Sequence, residues 1–338
     1  MKVKIRIGNE VKEYTGAWED HTLLEVFQEL GITQVHAPCG GNGTCKKCLV
    51  TVEGLGEVLS CQTQCKDGMC VTVAEEQKSA IAENGNCYLY PADAGEGLLA
   101  ACDIGTTTVV CHLLDGATGV RLCTVSAPNA QRSFGADVIS RIQASVDSGL
   151  DKLQSAIVDQ INGMLVQLKQ KAGRTEDIRR LAVAGNTVMS HLFCGLSPES
   201  IGVAPFTPLS LFGESYDAKQ IGIEGCETVY VVPSIAGYVG GDIVADLEAV
   251  QMHSSVLAED GEKETLMLDI GTNGEMVLGK SGSYVCCATA AGPAFEGAEI
   301  AMGMPAASGA ISKVWLEDGK ICCSTINDAP AVGICGSG

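Results

Sequence analysis

One turn of sequence occurs twice in this 338-residue chain, and it constrains the fold more than any other feature. The apolar run from Leu98 ends in Asp103-Ile104-Gly105-Thr106-Thr107, and a second apolar run, 108–114, begins at hairpin distance. The same order returns at Leu266-Met267-Leu268-Asp269-Ile270-Gly271-Thr272-Asn273-Gly274-Glu275, before another strand-like run at 276–279. An Asp at a strand end can hold Mg²⁺ through water. A Gly beside it lets backbone N–H groups approach phosphate oxygens, and Thr hydroxyls add donors. Each copy alone is a modest signal. Two copies with matching flanks read as an internal duplication, one turn gripping one side of a polyphosphate and the other its opposite side. The competing reading is a pair of unrelated β-hairpins.

The second constraint is Pro38-Cys39-Gly40-Gly41-Asn42-Gly43-Thr44-Cys45-Lys46-Lys47-Cys48, followed by Cys61 in Leu59-Ser60-Cys61-Gln62. Three thiolates in a glycine-rich loop and one distant thiolate match the needs of a [2Fe-2S] cluster, in which each iron takes two cysteine sulfurs. Gly40, Gly41 and Gly43 allow positive φ and leave room for N–H groups to point at the sulfides. A zinc site would show two short C-x2-4-C pairs, and only one is present. Cys65 and Cys70 compete with Cys61 as the fourth ligand. The spacing C-x5-C-x2-C…C and the Leu59–Thr63 context resemble plant-type and adrenodoxin-like ferredoxins, and that resemblance selects Cys61. Of the seventeen cysteines, many others (Cys102, Cys111, Cys123, Cys286, Cys287, Cys322, Cys323) lie in apolar strands. They read as small buried hydrophobes, free thiols in a reducing cytosol rather than a disulfide scaffold.

Around these signals the chain divides into four parts. Residues 1–75 read as an α+β, β-grasp unit: a hairpin through Gly8-Asn9, a helix 23–30 capped by the Asp20–Thr22 segment and closed by Gly31, the cysteine loop, and strands 48–52 and 69–73. Residues 76–97 are poor in apolar side chains and read as a linker, which as a flexible chain would span roughly 25–30 Å. Residues 98–255 form a first α/β lobe. Its expected helices are 137–148 and 151–171, with Leu153, Ile157, Ile161, Leu165 and Leu168 on one face. A buried strand at 181–184 runs into Gly185-Asn186-Thr187, whose side chains either touch nucleotide or cap the next helix. A helix opens at Gly240-Gly241-Asp242, where Asp242 serves either the helix dipole or the site. Residues 256–338 begin a second lobe, with Glu296 in a helix opened by Ala291-Gly292-Pro293. The chain stops at Gly336-Ser337-Gly338, where a Gly-Ser-Gly turn normally leads into a helix, and is expected to be a fragment of a longer protein.

The paired turns resemble those of the acetate and sugar kinase/Hsc70/actin (ASKHA) superfamily, whose two ribonuclease-H-like lobes close on ATP and Mg²⁺. A ferredoxin unit ahead of such lobes is similar to one family, the reductive activators of corrinoid-dependent enzymes. The resemblance extends to Pro128-Asn129-Ala130-Gln131, Phe134–Ile142, Gly185–Met189 and Ala291–Gly297. It implies an ATP-dependent one-electron reductant, when full length a reductase or ATPase, that returns a Co(II) corrinoid protein to Co(I). Cys39, Cys45, Cys48 and Cys61 would carry the cluster. Gly105, Thr106, Thr107, Gly185, Asn186, Thr187, Gly271, Thr272, Asn273 and Gly274 would bind nucleotide. Asp103, Asp269, Glu275 and Glu296 are the candidate catalytic or Mg²⁺-holding carboxylates. The partners implied are a corrinoid protein and a reduced electron donor, with monomer or homodimer left open.

A net charge of −19 excludes nucleic acid as the expected partner, because phosphate neutralisation needs clustered Lys and Arg. No apolar run is long enough to span a membrane, and the N-terminus lacks the pattern of a signal peptide, so a cytoplasmic protein is expected. Two other readings stay open. One is a ferredoxin-fused small-molecule kinase. The other is a plain electron carrier whose ATPase-like lobes only dock a partner.

Overall fold

The computed structural model describes residues 1–8, 10–32, 34, 35, 37, 41, 43, 48–73, 95–254, 265–271, 273–280, 283–291, 301–304, 307–317 and 319–336. In the N-terminal unit β1 (Lys2–Ile7), β2 (Glu10–Thr15), β3 (Leu49–Val52), β4 (Gly56–Leu59) and β5 (Met69–Val73) make one sheet in the order β2-β1-β5-β3-β4. Strands β1 and β5 are parallel and the other neighbours antiparallel, as a β-grasp requires. Helix α1 (Leu23–Glu29) crosses this sheet. Thr22 and Glu25 form a reciprocal capping box at its start, and Gly31, at φ 66°, ends it. Leu23, Val26 and Phe27 are buried with Val3, Ile5, Val50, Val52, Val71 and Val73. Strand β4 was not foreseen, because Glu53-Gly54-Leu55-Gly56 reads as open loop rather than as the turn of a hairpin.

The first lobe is a six-stranded sheet in the order β10-β11-β9-β6-β7-β8. It comprises β6 (Leu98–Ile104), β7 (Thr108–Asp115), β8 (Arg121–Pro128), β9 (Ile178–Gly185), β10 (Ser215–Asp217) and β11 (Cys226–Val231). Strands β6 to β8 form an antiparallel meander, while β9 runs parallel to both β6 and β11. Helix α2 (Val138–Ala144) is shorter than expected. It widens into a π-type turn over Ser145–Gly149, where Gly149 adopts φ 106°, before α3 (Leu150–Ala172) begins. Leu153, Ile157, Ile161, Leu165 and Leu168 on α3 are all fully buried in the lobe's core, as their spacing predicts. Helices α4 (Thr187–Cys194) and α5 (Ala218–Ile221) complete the lobe.

Helix α6 (Gly241–Ser254) leads to the second lobe. Strands β12 (Thr265–Ile270), β13 (Asn273–Lys280) and β14 (Ser283–Ala290) form an antiparallel sheet, and β15 (Ala310–Glu317), β16 (Lys320–Thr325) and β17 (Gly333–Ile334) a smaller one. Ile243 of α6, Val239 and Val277 form the seam where α6 meets the first of these sheets, with Met267 and Tyr284 packed against it. The expected linker core, 76–94, and the expected helix through Glu296 lie outside the described residues. No helix among the described residues is long and apolar enough to cross a membrane.

Candidate functional site

Two sites emerge. In the N-terminal unit, Cys48 at the start of β3 and Cys61, just after β4, face each other with Sγ atoms 3.2 Å apart. Two thiolates on one tetrahedral iron stand about 3.8 Å apart for metal–sulfur bonds of about 2.3 Å, so this pair is placed for one iron. A Cβ at Gly41 would lie 3.8 Å from Cys61 Cβ, and Gly41 and Gly43 both adopt positive φ, so the glycine loop folds over Cys61. Gln62 Nε2 donates to Gly41 O at 2.8 Å and ties that loop down. Burial, then the Cys48 thiol, raise the Cys61 pKa, so a cluster would have to displace its proton. Cys65 is buried at the far end, near the N-terminus and Asp67, and Cys70 lies in β5 opposite Lys4. Neither joins the pair. Ser60 Oγ, fully buried beside Cys61, has no partner among the described residues. These features fit a cluster; Cys39 and Cys45 lie outside the described residues.

The second site is a cleft where β6, α6 and the β12–β13 hairpin meet. Solvent reaches the Asp103 side chain at the end of β6, yet burial pushes its carboxyl up to about 7, helped by the charges of Asp242, Asp246 and Asp269. Asp269, the equivalent residue of the second turn, thus lies near enough for its charge to act on Asp103. Burial also raises Asp269 and, with Asp269 and Asp242 adding, carries Asp246 to about 6. Asp242 is raised by burial as well, although it accepts the Ile243 N–H at 2.9 Å. Glu275 is the cross-strand partner of Asp269 and is only 7% exposed. Burial, then Asp242 and Asp269, push its carboxyl up to about 7, against a hydrogen bond from Asn273. Asp246 escaped the sequence reading, although its position four residues after Asp242 puts both on one face of α6.

The first turn is tied down from behind. Asn129, buried, donates its Nδ2 to Gly105 O at 2.8 Å and its backbone N–H to Thr107 O at 2.9 Å. Asn186 takes the capping role that its sequence context allowed, its Oδ1 accepting from Met189 N of α4, and its Nδ2 donates to Thr106 Oγ1 at 3.1 Å. Thr187 is fully buried with its hydroxyl donating to Ala236 O, so it ties α4 to that loop instead of facing the cleft. Gly185 is a packing glycine, since a Cβ there would meet Ile104 O at 2.8 Å. A Cβ at Gly240 would strike Asn186 Cα at 2.4 Å, so the chain entering α6 runs hard against the Gly185–Asn186 turn. In the second turn Gly271 N donates to Asn273 O, closing the tip; Gly274 continues β13, and Thr272 and Glu296 lie outside the described residues.

Among the described residues no three acidic, Cys or His side chains are arranged to hold a metal ion directly.

Three family models match the chain: a 2Fe-2S iron-sulfur cluster binding domain at 5–76, the RACo middle region at 98–255, and the C-terminal ASKHA domain of RACo at 263–338. A solved reductive activator for corrinoid, iron-sulfur protein superposes with a TM-score of 0.60 at 30% identity, covering 99% of this chain and 71% of that one. The corrinoid activation enzyme RamQ of Eubacterium limosum is 33% identical over 95% of this chain and 66% of its own length. The [Co(II) methylated amine-specific corrinoid protein] reductase of Methanosarcina barkeri is 28% identical over 63% of this chain and 40% of its own. The chain therefore spans about two thirds or less of these curated relatives.

Proposed function

We propose a function from one premise: the chain belongs to the RACo family of reductive activators of corrinoid proteins. In this reading it delivers one electron from a [2Fe-2S] centre to Co(II) of a corrinoid protein, regenerating Co(I), and does so under control of ATP. The observation that supports the reading is the presence in one chain of the Cys48–Cys61 pair and of two turns whose carboxylates, Asp103 and Asp269, lie near enough for one charge to act on the other. The same reading divides the chain at 1–75, 76–97, 98–255 and 256–338.

The cluster, when bound by Cys39, Cys45, Cys48 and Cys61, supplies a low-potential one-electron centre, near −400 mV for the plant type. Each 100 mV uphill costs about 2.3 kcal/mol per electron, so the acceptor has to be brought into range. The chain's own residues supply the lever. Asp103, Asp242, Asp246, Asp269 and Glu275 act on one another only as like charges, and a cation carried in with nucleotide phosphates relieves that repulsion. Because Asp103 lies on one lobe and Asp269 and Glu275 on the other, the relief favours lobe closure. A corrinoid partner that binds the closed form better is then selected by nucleotide.

The test is anaerobic. Reduced protein, Mg²⁺-ATP and a Co(II) corrinoid partner are mixed, and the Co(I) absorption band is followed. A band that forms equally fast without ATP removes the reading. Normal electron delivery by Asp103→Ala and Asp269→Ala would support a plain carrier instead, and phosphorylation of a small molecule without a protein partner would support a kinase.

A further inference from the structure

Arg141 on α2 is fully buried, and among the described residues no carboxylate lies within ion-pair distance of it. Its guanidinium is spent on neutral acceptors. Nε donates to Gly135 O at 3.0 Å, Nη1 lies 3.0 Å from Met189 Sδ, and Nη2 donates to Thr106 O in the first nucleotide turn. Burial, then Arg132, lower its pKa to about 9 while Asp137 opposes them, so it remains charged at neutral pH. A buried cation without a buried anion is costly, and such groups are normally paired. A fold that only needed a donor for two carbonyls could use a neutral amide.

The turn itself indicates where the missing anion belongs. The carbonyls of Gly105, Thr106 and Thr107 are all drawn inward, by Asn129 Nδ2, Arg141 Nη2 and Asn129 N. In a trans peptide the C=O and the following N–H point in opposite directions. The amides of Thr106, Thr107 and Thr108 are therefore directed away from these donors.

We propose that Arg141 is a positioning residue of the phosphate turn: it holds the Thr106 carbonyl inward so that the Thr107 amide meets a nucleotide phosphate, and it places a positive charge behind that amide. Carboxylates lie near the turn, so a buried cation behind it adds an attractive field for a phosphate. This inference rests on the nucleotide reading above. It goes further by assigning the anion's counter-charge to a residue that never touches it.

The experiment is calorimetric titration of Mg²⁺-ATP into the intact protein, as wild type, Arg141→Gln and Arg141→Lys, with each variant's unfolding checked by circular dichroism. Arg141→Gln is expected to weaken binding by about tenfold to a hundredfold, the range for losing a charge-assisted hydrogen bond. Arg141→Lys keeps the charge and recovers a substantial part of that loss. Equal affinity in wild type and Arg141→Gln overturns the proposal, and so does a Lys variant as weak as the Gln one. Should Arg141→Gln fail to fold, Arg141→Lys decides alone. One ammonium cannot reproduce the guanidinium fork at Thr106 and Gly135 together, so a several-fold weakening is expected and an unchanged Kd overturns the proposal. A wild type that takes up no nucleotide is a different failure: it removes the nucleotide reading itself, and this inference with it.

Discussion

Glu275→Gln should make the nucleotide-free protein more stable at pH 8 and leave it almost unchanged near pH 4.5. Glu275 sits on β13 directly across from Asp269, is 7% exposed, and has its carboxyl pushed from 4.5 up to about 7 by burial and then by Asp242 and Asp269. The folded state thus holds a proton that the unfolded chain releases between pH 4.5 and 7. The stability contributed by this group is fully present below the unfolded value and is lost as pH rises through the folded one. A displacement of about 2.5 pKa units at 1.36 kcal/mol each amounts to at most about 3 kcal/mol by pH 8. Glutamine keeps the shape and a hydrogen-bonding amide but carries no charge, so its stability lacks this decline. Differential scanning calorimetry in chelator, with no nucleotide, measures the second-lobe transition at both pH values. A gain of the same size at pH 4.5 and pH 8 would mean that packing, not charge, is responsible. A loss at pH 8 would sink the reasoning outright.

Three further outcomes follow from particular contacts. Cys61→Ser should abolish the visible absorption of reconstituted cluster while Cys65→Ser retains it, because of these two Cys61 is the one beside Cys48; equal loss in both would reopen the ligand choice. Ser60→Ala should lower the cluster's reduction potential by about 40 mV, equivalent to one hydrogen bond of about 1 kcal/mol that favours the reduced form. Spectroelectrochemical titration reads this, and an unchanged potential puts the hydroxyl outside the cluster's reach. Leu165→Ala, which empties a fully buried position on α3, should destabilise the first lobe by about 2–5 kcal/mol in urea unfolding. A cost below 1 kcal/mol would mean that the α3 face is not the core of the lobe.

Much of this architecture was legible because period and punctuation agreed. The apolar positions of α3 recur at helical spacing and are fully buried, and each Asp-Ile-Gly turn follows a strand, as expected. The Thr22 cap and Gly31 stop likewise follow from local chemistry. What stayed hidden was tertiary. The hairpin β3–β4 has too few apolar residues to announce a strand. The short β10 is an edge strand whose Ser215-Tyr216-Asp217 carries no alternating pattern, and it exists because β11 offers a free edge. In strand β12 Leu266, Leu268 and Ile270 are exposed while the Met267 side packs toward α6, a difference between faces that the apolar run did not signal. At the site, Asp246 was recoverable from i,i+4 spacing. Thr187 was misplaced because Gly185-Asn186-Thr187 gives no sign of which hydroxyl a distant carbonyl, Ala236 O, will claim.

The charges on the two sides of the first turn make one argument when taken together. In front lie carboxylates held partly protonated by burial and by one another, a state that costs stability at neutral pH and persists because something offsets it when the site is filled. Behind the turn lies a guanidinium with no carboxylate partner among the described residues. A bare nucleotide would meet repulsion from the first set, and a bare cation would leave the second without its anion. In the function proposed above, a magnesium-bound polyphosphate would answer both, with the carboxylates holding the metal and the amides backed by Arg141 holding the phosphate oxygens. A conformational response to nucleotide would then need no new contact between protein groups, only the removal of a repulsion already present among these carboxylates.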